Sequence, residues 1–279
     1  MSWEICFYPG CSYDTAAGYQ ESANAVCDHL NIRLKTVPDW ICCGSTAFFS
    51  LRGAQGALPP AKVLALAAST GADSLVTGCN GCFNTLRKAQ KLMQKNHELQ
   101  LHIQESLKQE GLQLAPDDFP VRHLLEVLAR DVPPSTWNLS AALPQLRVAS
   151  YCGCLFSRPW TDVDDPENPV LLDNFIQGLG FTPVDNSLKA ACCGAAHAMA
   201  YPEYTEMLVE RILRAAQDRD AEVLATICPL CQLNVESAQL NLGEPRLPVL
   251  FFTQLAGLGL GLPREKLGLE KLLIQPDKF

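Results

Sequence analysis

Ten of the thirteen cysteines in this chain of 279 residues fall into two sets of five with one order: a lone cysteine, an adjacent Cys-Cys-Gly, then C-x-x-C. The first set is Cys11, Cys42, Cys43, Cys79 and Cys82, and the second is Cys154, Cys192, Cys193, Cys228 and Cys231. From lone cysteine to pair run 30 residues in the first copy and 37 in the second; from pair to C-x-x-C run 35 and 34. Spacing that repeats over such distances marks an internal duplication. Whatever one half builds around its sulfurs, the other is expected to build as well.

A duplicated chain of this length divides naturally into two domains. The expected division is 1–140 and 141–279, with Asp131 to Gln145, which carries Pro133, Pro134 and Pro144, as the linker. The net charge of −8 argues against affinity for nucleic acid, which needs a basic footprint. Met1-Ser2-Trp3-Glu4 has neither the basic nor the apolar part of a secretory signal. The longest nearly apolar stretch, Val249 to Leu262, is interrupted by Thr253 and Gln254 and is too short for a bilayer. The expectation is a cytoplasmic protein with no membrane span of its own, reaching a membrane only through a partner.

Short apolar runs alternate with helical patterns. Trp3 to Tyr8, Ile32 to Val37 and Ser74 to Thr77 read as strands; Asp14 to Leu30 and Pro60 to Thr70 read as helices. A further helix through Asn84, Leu86 and Ala89 runs with breaks towards Gly111, with Lys88, Lys91, Lys95, Lys108, His97 and His102 as a solvated face. Leu124 to Leu128 continues Phe119-Pro120-Val121 as a helix. The second half replays this order: Leu146 to Tyr151 and Glu222 to Ile227 as strands, Val170 to Gly180 and Glu203 to Arg219 as helices. Pro120 comes 38 positions after Cys82, but Pro248 only 17 after Cys231, so the first half carries a helical insertion. Strands alternating with helices predict an α/β fold with parallel sheets flanked by helices. Ligands in such sheets gather beyond the carboxyl ends of the strands, where several of these cysteines fall.

Thirteen cysteines in a reducing compartment do not suggest a disulfide framework. Thiol–disulfide exchange at C-x-x-C leaves the adjacent pairs unexplained. Zinc takes four ligands in a tetrahedral set, and neighbouring cysteines are awkward partners on one small ion. Adjacent thiolates reach different irons of a polynuclear cluster more easily. Five thiolates per set is one more than a cubane cluster needs, which suits a larger or more open iron–sulfur cluster. Cys6 and Cys27, on the first strand and first helix, read as small buried hydrophobes.

The pattern resembles the cysteine-rich CCG domain, and the whole chain is similar to the HdrB family, the B subunits of heterodisulfide reductases. The likeness lies in Tyr8-Pro9-Gly10-Cys11, Cys79-Asn80-Gly81-Cys82, Asp165-Pro166-Glu167-Asn168-Pro169, Cys228-Pro229-Leu230-Cys231 and Pro248-Val249-Leu250. It implies two pseudo-symmetric, Rossmann-like CCG domains, each holding a noncubane [4Fe-4S] cluster on its five cysteines. The partners it implies are a ferredoxin-type iron–sulfur subunit (HdrC-like) and a flavoprotein subunit (HdrA-like). Electrons would arrive singly, and a disulfide held between facing clusters would be split into two thiols. The alternative within the family is an electron-relay subunit of a sulfur-oxidising or quinone-linked complex.

Members that reduce the methanogens' heterodisulfide commonly carry His just after the second Gly-Cys, where this chain has Leu155. Cys152, two residues before Cys154, competes with it as the lone ligand, and the match to Gly10-Cys11 favours Cys154. His197, four residues after Cys193, is a candidate proton donor to a leaving thiolate or a hydrogen-bonder to the metal site. Arg158 and Lys189 are candidates to hold an anionic substrate, or surface salt bridges. Gly257, Gly259 and Gly261 lack the spacing of a dinucleotide loop.

Overall fold

The computed structural model describes residues 3–45, 47–141 and 145–276. Met1, Ser2 and the linker proline Pro144 lie outside the described residues. Each half opens on a strand, β1 (Trp3–Phe7) or β5 (Arg147–Tyr151), and each builds a sheet of four parallel strands. The first sheet has the order β2-β1-β3-β4, with β2 at Ile32–Thr36, β3 at Leu75–Thr77 and β4 at Val121–His123. The second has the order β6-β5-β7-β8, with β6 at Thr182–Val184, β7 at Val223–Thr226 and β8 at Val249–Phe251. Parallel strands need crossover helices, which is why the chain alternates. The expected α/β class with two helix-flanked parallel sheets is what the fold shows. The two topologies are identical, and in each the chain turns back across its first strand, between β1 and β3 or β5 and β7. This reversal opens a crevice at the strand ends where ligands collect.

The helices are α1 (Tyr19–His29), α2 (Ala47–Arg52), α3 (Leu58–Ser69), α4 (Asn80–Lys95), α5 (His97–Gln109) and α6 (Leu124–Arg130), followed by α7 (Leu171–Gly178), α8 (Pro202–Gln217), α9 (Pro229–Leu242) and α10 (Phe252–Gly259). The helix expected from Asp14 starts at Tyr19, because Gly18 stands just before it at φ 70°, outside helical space. The long helix after Asn84 is two helices. Asn96 is extended, and its side chain accepts the Leu99 N–H at 3.0 Å, so it ends α4 and caps α5.

Packing divides the chain into two compact units that do not follow the linear order. One unit is residues 1–11 and 31–124, and the other is residues 12–30 and 125–279. Helix α1 therefore belongs to the second unit, although β1 and β2 on either side of it belong to the first. Its partner is α10. The Ser22 and Thr253 hydroxyls meet at 2.6 Å, the Tyr19 ring lies 4.4 Å from that of Phe251, and Glu21 pairs with Lys271.

In the first unit α5 lays Leu99, Ile103 and Leu107 over Ala57, Ala61, Ala65, Ala89 and Met93. Each of those three side chains contributes roughly 1.5–3 kcal/mol by leaving water. This cover is why α3 is apolar all round, burying Ala61, Val63, Leu64, Ala65, Leu66 and Ala67. Helix α8 in the second unit buries one side, Val209, Ile212, Leu213 and Ala216, and leaves Tyr204, Met207 and Arg211 exposed.

Candidate metal centres

In both units the five cysteines come together just past the carboxyl ends of the strands. Cys79 and Cys228 have extended backbones (φ −119° and −128°) and stand immediately before α4 and α9. Cys82 and Cys231 occupy the third helical position, where backbone N–H groups lack intrahelical acceptors and favour negative charge. Pro229 suits the first position of α9, which needs no N–H. Gly10 follows β1 at φ 71°, and a Cβ there would lie 2.8 Å from the Cys82 sulfur. Only glycine lets the backbone pass so close to that thiol.

The sulfurs run as chains of neighbours. In the first unit the Cys43 and Cys82 sulfurs are 3.6 Å apart, Cys42 hydrogen-bonds Cys43, Cys79 hydrogen-bonds Cys82, and Cys11 lies within electrostatic reach of Cys42. In the second, Cys193 and Cys231 are 3.6 Å apart, Cys154 hydrogen-bonds Cys192, and Cys228 hydrogen-bonds Cys231. The Cys42 and Cys192 sulfurs each accept the N–H two residues on, from Gly44 at 3.4 Å and Gly194 at 3.3 Å.

Crowding splits the thiols into donors and acceptors. Hydrogen bonds from Cys42 and then Cys82 hold Cys43 well below the usual thiol range, while Cys42 and Cys82 are raised by the same contacts. In the second unit the bond from Cys154 lowers Cys192 to about 6, helped by the Gly194 N–H and His197. The bond from Cys231 lowers Cys193. Each pocket is thus built to accept thiolate charge.

Among the described residues, no group of three or more His, Cys, Asp or Glu side chains forms a ready coordination sphere for one ion. The donor set itself is five sulfurs per unit with no oxygen among them, and it fits a soft, thiophilic centre. All thirteen cysteines are free thiols.

Cys152 is fully buried, its thiol pushed up by burial and then by Asp173 and Asp164. Cys154 hydrogen-bonds Cys192. Cys6 is half-buried near Thr70, at 3.9 Å. Cys27 is buried, and desolvation pushes its thiol up to about 12. His197 is exposed beside Cys192. Lys189 is buried and pairs with Asp173 at 2.6 Å. Arg158 bonds the Pro166 carbonyl at 2.7 Å and Glu167 at 3.0 Å.

A pair of tyrosines went unread in the sequence. Tyr8, at the end of β1, donates to the Ile41 carbonyl at 2.8 Å and accepts the Cys43 N–H at 2.9 Å. Tyr151, at the end of β5, donates to the Ala191 carbonyl at 2.8 Å. Both phenols are buried, and desolvation, reinforced by the neighbouring cysteines, keeps them neutral donors. The signal was the shared Tyr-x-Gly-Cys of Tyr8–Cys11 and Tyr151–Cys154. Tyr8→Phe strands the Ile41 carbonyl and the Cys43 N–H. The expected result is a loss of about 2 kcal/mol of stability, read by thermal denaturation.

The profile of the CCG cysteine-rich domain matches twice, at residues 5–87 and 148–236. The chain belongs to the CCG cysteine-rich domain family. This CCG protein is 30% identical, over the full length of both chains, to the 8-methylmenaquinol:fumarate reductase membrane anchor subunit of Wolinella succinogenes. It is 27% identical to the B subunit of the ferredoxin:CoB-CoM heterodisulfide reductase of Methanosarcina mazei, over 99% of this chain and 95% of that one. The resemblance to HdrB carried by the cysteine pattern therefore extends over the whole chain. A crystal structure of a hypothetical protein from Helicobacter pylori matches 98% of the chain with a TM-score of 0.79 at 15% identity, a likeness of fold. This CCG protein spans about half, 52%, of that chain's length. No helix among the described residues is long and apolar enough to cross a membrane.

Proposed function

We propose that the chain is the iron–sulfur subunit of a heterodisulfide reductase-like oxidoreductase complex, reducing or forming a disulfide-type bond with two noncubane [4Fe-4S] clusters. The observation that carries this is the pair of five-sulfur pockets, each set at the crevice of its own parallel sheet. Cys11, Cys42, Cys43, Cys79 and Cys82 would hold one cluster, and Cys154, Cys192, Cys193, Cys228 and Cys231 the other. Cys154 would take the lone position, because it hydrogen-bonds the ligand cysteine Cys192 and matches Gly10-Cys11 in the first copy. When bound, the clusters would supply the two electrons that, with two protons, turn a disulfide into two thiols.

The chain's own residues prepare the site. Backbone N–H groups at the starts of α4 and α9 and at Gly44 and Gly194 offset the negative charge of the sulfurs. The tyrosine hydroxyls fix the loops that carry the adjacent cysteines. With Leu155 after Cys154, the group placed to hand a proton from an imidazole nitrogen to a departing thiolate is His197. Lys189, paired with Asp173, would bind no substrate; its buried ammonium balances the half-buried Asp173 carboxylate. Arg158, tied to Glu167, has the same kind of structural use. The partners in this reading are a ferredoxin-type subunit and a flavoprotein subunit, and the compartment is the cytoplasm, where thirteen thiols stay reduced.

The second reading, a relay subunit of a quinone-linked complex, draws on the relative from W. succinogenes. Anaerobic purification followed by iron and sulfide assays is expected to find about eight irons per chain, as two four-iron centres require. Paramagnetic spectra of the isolated chain should then change on adding a disulfide. Spectra indifferent to every disulfide would favour the relay, and zinc without sulfide would end both readings.

A further inference from the structure

The second unit contains a cavity beside its adjacent cysteine pair. It has a volume of about 410 Å³ and an apolar wall of Leu188, Leu208 and Ile212. Cys192 opens onto it, and His197, Tyr204 and Arg211 are the polar groups in its lining. Ligand sites commonly combine such an apolar wall with a few polar groups at this scale.

The duplication shows what has changed. In the first unit α2 fills the space beside Gly44, with Phe48 so close that an added Cβ would sit 2.9 Å from it. Ala61 is fully buried under α5. In the second unit a single 3-10 turn, Ala195–His197, follows Gly194, and no counterpart of α5 separates α9 from β8. In the second unit Tyr204 and Arg211, both exposed on α8, stand around the open cavity.

Arg211 is exposed and has no ion-pair or hydrogen-bond partner among the described residues. The neighbouring carboxylate, Glu210, is taken by Arg214 at 2.5 Å. The other two cations near this cysteine set, Lys189 and Arg158, are already paired within the chain. A guanidinium at the rim of an apolar cavity suits a carboxylate or sulfonate, which it grips through two parallel hydrogen bonds. We propose that the cavity beside Cys192 binds a small organic acid, its aliphatic body against Leu208 and Ile212 and its acid group on Arg211. The proposal deepens the functional reading, since the cavity opens on a cysteine assigned there to the second cluster.

The test uses the full chain, purified anaerobically, with iron and sulfide counted first. Binding of 4-mercaptobutyrate and of its neutral amide is measured by calorimetry. The acid is expected to bind at least about tenfold more tightly, the scale of one charge-assisted pair. Arg211→Ala should abolish that preference without changing the amide's affinity, and Arg211→Lys should retain part of it. Equal binding of acid and amide, no binding of either, or a preference that survives Arg211→Ala overturns the proposal. With both clusters present, such a result removes only the acid site. A preference that obeys Arg211 in a chain lacking iron keeps the site and removes the cluster reading.

Discussion

The Cys43→Ser variant is expected to lose or remodel the first cluster and leave the second intact, so that iron per chain falls by up to about half. Cys43 is the middle of its sulfur chain, bonded to Cys42 on one side and 3.6 Å from Cys82 on the other. A serine oxygen is harder and less acidic than a thiol and is a poor ligand for iron. Metal binding is also folding energy in such pockets, so the first unit should become easier to unfold while the second holds. Cys193→Ser should give the mirror image. Cys27→Ser is the control: this cysteine is buried on α1 beside Asp28, away from both Cys-Cys-Gly motifs in sequence, and full iron is expected. Iron unchanged in Cys43→Ser, or halved in Cys27→Ser, would show the assignment of ligands to be wrong.

Glu236→Gln should remove a pH dependence of stability centred on the second unit. Glu236 lies on α9 almost wholly buried, and burial raises its carboxyl from about 4.5 to about 7 despite the Ile274 and Leu273 N–H groups that it accepts. Because the folded value is the higher one, the native state binds more protons than the unfolded state between those two pH values. Stability from this group is complete below pH 4.5 and declines as pH rises towards 7. The shift corresponds to about 3 kcal/mol. Glutamine stays neutral and can still accept the Ile274 N–H. Against the native protein at equal cluster content, the variant should denature at the same urea midpoint near pH 4.5 and at a clearly higher one at about pH 8. A difference that does not vary with pH would mean that Glu236 is ionised in the fold or already solvated.

Much of the fold was legible because two signals were doubled. The strands at Trp3, Ile32, Ser74, Leu146 and Glu222 stand within a residue or two of their expected positions, since each is a short apolar or alternating run ended by glycine, proline or cysteine. The helices at α2 and α10 were missed. The first is only six residues long, and the second, Phe252–Gly259, is so apolar that it shows no helical periodicity. The twin tyrosines escaped because a tyrosine at the end of a buried strand looks like core until its hydroxyl is seen to reach Ile41 or Ala191. Arg158 and Lys189 stood out by their distance along the chain from the cysteines, whereas Arg211, nineteen positions beyond Cys192, did not.

The sequence by itself determined the inventory: two sets of five sulfur donors, the strand ends on which they stand, the doubled α/β plan and the family. These are local matters, written in spacing and in the polarity of neighbouring residues. Only the tertiary structure decided that α1 packs against α10 in the second unit, that Cys154 contacts Cys192, and that Lys189 is spent on Asp173. Only it showed that α5 covers α3 in the first unit and that a cavity lies beside Arg211 in the second. Those outcomes turn on contacts between residues far apart in the chain. Their free energy depends on what each side chain meets once all the others are in place, and no stretch of sequence read alone contains that.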